Sequence, residues 1–302
     1  SGDGLAFVAG APTYNNGKGR IRKYELIGST WTRVRDSING PTNGDDRFGL
    51  SVAVSTDGNI VAGGAPRSSS QRGIVQVYEV SGTDSWSQLG SDIVGPSTND
   101  YAGDSVSLSG DGTRLAVGIP RVSSQRGRVV VYDYVAGTTN DWVQVGANLD
   151  GSNDDEIFGK SVSLSTSGSR VAVGAPGNTG SWDSFDGNSA GYARVFEYDS
   201  STWIQLGSDI VGEGSSDHSG ESVSLSGDGT RVAIGARWND GGSNNAGHVR
   251  IYEYNAGTTS WLQIGGAGDD IDGEANSDYS GMSVSLSSDG RQCAIGAPWN
   301  SG

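Results

Sequence analysis

Tryptophan beside aspartate and asparagine is the grouping in this sequence best suited to chemistry. It occurs at Trp182 with Asp183, Phe185 and Asp186, again at Trp238, Asn239 and Asp240, and restarts at Trp299 with Asn300. An indole face can lie under a sugar ring while carboxylates and carboxamides take its hydroxyls, so these are candidate ligand-binding residues. The competing reading is that the rings cap the apolar ends of the elements that carry them. A second grouping is acidic: Asp269, Asp270, Asp272, Glu274 and Asp278 place five carboxylates within ten residues. Ca2+ prefers six to eight oxygen ligands, and it is the cofactor such a stretch would take. The stretch does not match the D-x-[DN]-x-[DN]-G loop. An acid also recurs three residues before a glycine, at Asp46, Asp100, Glu156, Asp217 and Asp278. That phase reads equally well as a turn-forming or strand-capping role. Catalytic sets are thin. His218 and His248 fall at different phases, Cys293 sits inside an expected strand, and no G-x-S-x-G elbow or phosphate loop occurs.

The elements that must position these residues come from one repeated phrase. Residues 221–237, ESVSLSGDGTRVAIGAR, read as strand, tight turn, strand. Val223 and Leu225 alternate with Ser222, Ser224 and Ser226, the period of a strand with two unlike faces. Gly227, Asp228 and Gly229 supply a turn, and 231–235 returns as a second strand rich in β-branched residues. Copies recur with turns near residues 3, 57, 111, 167, 228 and 289, a spacing of 54 to 61 residues. Each full unit adds a third strand ending in an aromatic and an acid, such as Tyr252 and Glu253. A fourth opens at Trp31, Trp86, Trp142, Trp203 or Trp261 and mostly continues W-x-Q-[LVI]-G. One tryptophan at a fixed phase in every unit reads as packing between units. Four-stranded antiparallel sheets in tandem must stack to bury both faces, and radial stacking gives a β-propeller. The expected fold is all-β: one domain over residues 1–302 holding about five and a half repeats of a larger ring of six or seven blades.

The chain resembles the FG-GAP repeats of integrin α-subunits. Phe48-Gly49 with Gly64-Ala65-Pro66, and Phe158-Gly159 with Gly174-Ala175-Pro176, are literal FG…GAP pairs. Elsewhere the Phe becomes Ala102, Ser219 or Ser280, and the GAP becomes Gly118-Ile119-Pro120 or Gly235-Ala236-Arg237. The resemblance implies a propeller used for extracellular recognition and adhesion. Integrin-type repeats often carry Ca2+ between the first two strands of a blade. Here that link is a Gly-Asp-Gly turn, too short to coordinate it, so any Ca2+ belongs on the inter-unit links, first at 269–278.

Composition narrows the function. A net charge of −15 disfavours nucleic-acid backbones and anionic membrane surfaces as partners. No apolar run reaches the ~18 residues that would insert in a membrane. One cysteine rules out an internal disulfide framework. The expected function is a non-enzymatic extracellular or cell-surface module that binds a protein or glycan through its loop face, with self-association in a larger surface assembly. A multivalent lectin is the first alternative, and a polysaccharide hydrolase or lyase working through loop carboxylates the second.

Overall fold

The computed structural model describes residues 1–302 except 43, 83–84, 138–140, 178–189, 242, 267 and 301–302. The described residues are β-strands and turns apart from two four-residue helical segments, Ser68–Gln71 and Val122–Gln125. Both sit in links between second and third strands and wind left-handed, with Ser69 and Ser70 at φ of 52° and 58°. No helix among them is long and apolar enough to cross a membrane.

The fifth repeat shows how the sequence becomes a blade. Strands Ser222–Leu225, Arg231–Ala236, His248–Asn255 and Ser260–Gln263 lie side by side, antiparallel and in chain order. A short fifth strand, Ile271–Asp272, returns to pair with the start of the third, His248 opposite Asp272 and Val249 opposite Ile271. The sequence pattern gives the four-strand meander but not this return. Its cause is the glycine after W-x-Q-[LVI]: Gly90, Gly146 and Gly207 adopt φ of 78°, 69° and 76°, which interrupts the fourth strand before the chain resumes pairing further along the same third strand. In the first repeat Arg35 stands at that phase with φ 63°, and the strand Thr30–Asn39 runs on through a bulge.

The described residues divide into two compact units, Ser1–Val122 with Val129–Asn148, and Ser123–Arg128 with Leu149–Gly302. In the first unit, Ile21, Ile38, Phe48 and Val61 form the core between repeats one and two. Leu115, Val117 and Trp142 pack on Val75, Val77 and Leu89 between repeats two and three. In the second unit, Val232, Ile234 and Tyr252 pack on Ala172, Val195 and Ile210. The fourth-strand tryptophans do join blades: three of their indole N–H groups donate to a carbonyl of the preceding blade. Trp86 reaches Asp36 O at 3.1 Å, Trp142 reaches Leu89 O at 2.8 Å and Trp261 reaches Leu206 O at 2.7 Å.

The FG and GAP motifs have a shared geometric cause. Within a blade the FG glycine N–H donates to the GAP glycine carbonyl: Gly49 to Gly64 at 2.9 Å, Gly159 to Gly174 at 3.0 Å, Gly220 to Gly235 at 3.1 Å. The GAP glycine then faces the FG glycine of the next blade, so closely that a Cβ on Gly64 would lie 2.0 Å from Gly103 O. The first-strand serines close the same seam. Ser51 Oγ donates to Gly103 O and Ser222 Oγ to Gly281 O, both at 2.7 Å, while Ser224 Oγ accepts the N–H of Leu286 at 2.9 Å. The polar face of S-V-S-L is therefore spent between blades, where alternation alone would put it in water.

The Gly-Asp-Gly turns are tied down as well. Asp228 Oδ1 accepts from Ser226 Oγ at 2.6 Å, Thr230 N at 2.9 Å and Thr230 Oγ1 at 2.8 Å. Burial pushes this carboxyl up, but these hydrogen bonds outweigh it and hold it below the ordinary carboxylate range. A depressed carboxylate stabilises the fold above its unfolded value, near 3.9, and that stability is lost as pH falls through the folded value. Asp228→Ala should cost about 1 kcal/mol at pH 7, since solvent screens much of the charge-assisted bonding. Urea titrations of both proteins should show the gap at neutral pH and see it close in strong acid. A gap independent of pH would contradict the assignment to the ionised carboxylate.

Candidate functional site

The inter-unit links converge with the second-to-third-strand links at one end of each blade. There the recurrent acid acts as a staple. Asp46, Asp100, Glu156, Asp217 and Asp278 accept the backbone N–H of Thr42, Ser97, Ser152, Gly214 and Ala275, at 2.6 to 2.8 Å. Asp46, Asp100, Asp217 and Asp278 are buried. Glu156 also accepts from the Tyr192 hydroxyl at 2.7 Å; burial raises this carboxyl, and the Tyr192 and Asn153 donors more than reverse that. Of the two readings open for this acid, turn formation is the one its hydrogen bonds fit.

The residue after each acid has positive φ: Arg47, Tyr101, Ile157, His218 and Tyr279 lie at 54° to 60°. Sequence reasoning misses these positions, although their fixed phase behind the acid marks them. In the second unit they help to build an aromatic run. Trp238 meets Tyr279 edge to face at 5.0 Å, and Tyr279 meets Trp299 likewise at 5.3 Å. His218 lies 6.3 Å from Trp238, and burial holds its imidazole below the usual histidine range. The three rings wall an open groove of about 560 Å³, completed by Arg237, Asn276 and Ser277. Trp299 is 62% exposed.

The candidate ligand residues thus part company. Trp238 and Trp299 face the groove together. Asn239 does not line it: it is buried, its carboxamide donating to Asp217 Oδ2 at 2.9 Å and accepting from Gly241 N at 2.7 Å. Its neighbour Asp240 is exposed and accepts from Asn245 N at 2.7 Å. Trp182, Asp183 and Asp186 lie outside the described residues.

The acidic stretch 269–278 is pulled in different directions. Asp270 Oδ1 accepts from Arg250 Nε at 3.0 Å and Gln263 Nε2 at 2.8 Å. Asp278 is committed to its turn and to Asn300 Nδ2 at 3.2 Å, while Asp269, Asp272 and Glu274 are exposed. Among the described residues, the three-residue group with metal-ligand atoms close together takes only Asp270 from this stretch and adds Glu213 and His248. Asp270 follows a repeated pattern. The glutamine of W-x-Q and a third-strand side chain both donate to an acid just before the returning strand, as Gln88 and Gln76 do to Asp92, and Gln205 and Arg194 to Asp209.

Comparison with known proteins agrees with this construction. The model of the FG-GAP repeat matches residues 212–252. No curated protein sequence matches the chain. Among solved structures, a chain of Kuenenia stuttgartiensis hydrazine synthase superposes with a TM-score of 0.57 at 14% identity, covering 94% of this chain and 68% of that one. At that identity the likeness is one of fold, the β-propeller. The matched segment runs from the link before the fifth blade into that blade's third strand, and the same seam of glycines recurs in the other repeats. Residues 212–252 are thus similar to an FG-GAP repeat, and the chain as a whole has the fold of a β-propeller.

Proposed function

We propose that this chain is a non-enzymatic recognition module of the cell exterior that holds a carbohydrate in the groove of Trp238, Tyr279 and Trp299. One observation carries the reading: three rings in successive edge contact line a single open cleft whose other wall is polar. A pyranose offers apolar C–H faces to rings and hydroxyls to amide, hydroxyl and guanidinium groups. Asn276, Ser277 and Arg237 supply the second set. Glycoside hydrolysis needs a pair of carboxyl groups across the scissile bond, and the described residues lining the groove include no carboxylate, which favours binding over cleavage. The extracellular setting rests on the repeat type. The groove tryptophans are not repeated in the first unit, where Arg67 and Arg121 hold the phase of Trp238, so among the described residues one such site is the reading.

A glycan array followed by calorimetry tests this. Trp299→Ala, at an exposed position, should leave the melting temperature unchanged and weaken the best glycan at least tenfold, the value of a lost stacking contact of about 1.4 kcal/mol. Binding that survives the change, or an array with no ligand, would refute the carbohydrate reading.

A further inference from the structure

Glu213, His248 and Asp270 each bring one ligand-type atom to a place in the second unit where the three lie within 4.8 Å of one another. His248 opens the third strand of the fifth blade, and Asp270 precedes the short strand that pairs with it. Glu213 comes from the link leading into that blade. His248 is 1% exposed, and its Nδ1 has no hydrogen-bond partner while lying 3.5 Å from Asp270 Oδ2. A buried polar atom left unpaired is costly, and this one faces the Asp270 carboxylate, with Glu213 in the same group. Arg250 partly compensates their charge, with Nε 3.0 Å from Asp270 Oδ1 and its other arm on Glu213.

The fourth blade shows what has been added. There Arg194 binds Asp209 at 2.8 Å and reaches Ser152 Oγ at 2.9 Å, with Tyr192 at the phase of His248. A hydroxyl and a phenol there become a carboxylate and an imidazole here. The fifth blade therefore carries one more negative charge than its arginine can balance, and a nitrogen donor beside it.

We propose that Glu213, His248 and Asp270 bind a single divalent ion of the borderline class, Zn2+ or Co2+, with the Arg250 guanidinium as the group it displaces. One imidazole nitrogen and two carboxylate oxygens suit such ions, and three protein ligands leave a coordination position for water. Ca2+ finds too few oxygens here. Glu213, half exposed, is the ligand through which the ion enters. Ligands at about 2.0 to 2.2 Å from the metal stand roughly 3.4 Å apart, so small side-chain rotations close the set. This site is separate from the aromatic groove, and the two readings stand or fall independently.

The test is Co2+ and Zn2+ titration of the chelator-stripped chain, followed by calorimetry, visible absorption and imidazole NMR. One ion per chain, cobalt d–d bands and a shift of the His248 ring resonances on Zn2+ are expected. Glu213→Gln should weaken binding at least tenfold with an unchanged apo melting temperature, which separates ligand loss from misfolding. His248→Asn should abolish the cobalt spectrum, and a tenfold excess of Ca2+ should not compete. Absence of saturable binding, indifference to Glu213→Gln, an unmoved His248 or equal competition by Ca2+ would each overturn the assignment.

Discussion

Trp142→Ala is expected to destabilise the fold by about 3 to 5 kcal/mol, the range for deleting a buried tryptophan, whereas Trp31→Ala should change stability by less than about 1 kcal/mol. The two residues share a phase in the repeat but not an environment. Trp142 is 8% exposed, packs in the core with Val75, Val77, Leu115 and Val117, and donates to Leu89 O. Trp31 is 46% exposed, and its ring meets Phe7 edge to face at the outer side of the first blade. Trp142→Phe separates the contributions, because it keeps most of the apolar area and loses the indole donor, leaving the Leu89 carbonyl to find another partner. Its cost should be intermediate. Trp203, buried to the same 8%, should follow Trp142. Chemical denaturation monitored by circular dichroism makes the measurement. Equal effects at Trp142 and Trp31 would mean that the indoles do not join blades.

The blades were legible because their signals are local. Val223 and Leu225 alternate with serine, Asp228 sits between glycines, and Tyr252 and Trp261 recur at one phase, so strand identity and order could be read directly. The third strands begin within one residue of expectation: Arg20, Ile74, Arg128, Tyr192 and His248. The returning fifth strand was not legible. Two residues such as Ile271 and Asp272 carry no periodicity, and only the positive φ at the preceding glycine phase produces it. Nor does alternation say that Ser224 faces a neighbouring blade, because serine is as consistent with water as with a backbone partner.

The candidate site was half legible for a similar reason. Trp238 and Trp299 stand in corresponding positions and could be found from sequence, but Tyr279 between them comes from the link before the sixth copy. Bringing it there takes the turn that buries Asp278, a tertiary event. Asn239 stands apart from the groove, and a carboxamide beside an exposed ring looks the same in sequence whether it faces solvent or, as here, a buried carboxylate. Sequence marks Asp270 by its company of acids. Its actual partners, Arg250, Gln263 and His248, lie between 7 and 22 residues away in the chain.

Gly235→Ala should be among the most damaging single methyls in the second unit. Its Cβ would stand 2.1 Å from Gly281 O and 2.9 Å from Gly281 C, backbone atoms of the next blade that cannot turn aside as a side chain can. The same carbonyl accepts from Ser222 Oγ at 2.7 Å, and Gly235 O accepts from Gly220 N at 3.1 Å, so the seam cannot open without losing both bonds. Overpacking in a closed site costs about 1 to 3 kcal/mol and more where relaxation is blocked; the expected loss is therefore at least about 3 kcal/mol, or failure to accumulate folded protein. Gly28→Ala is the control. It carries φ 64° with nothing within 4 Å of the added carbon, so it reports backbone strain alone, at about 1 kcal/mol. Thermal unfolding of the two variants decides between steric and conformational causes for the repeated glycine. If they are destabilised equally, the GAP glycine is kept for its φ/ψ freedom. If Gly235→Ala is far worse, close approach of neighbouring blades is what the motif encodes.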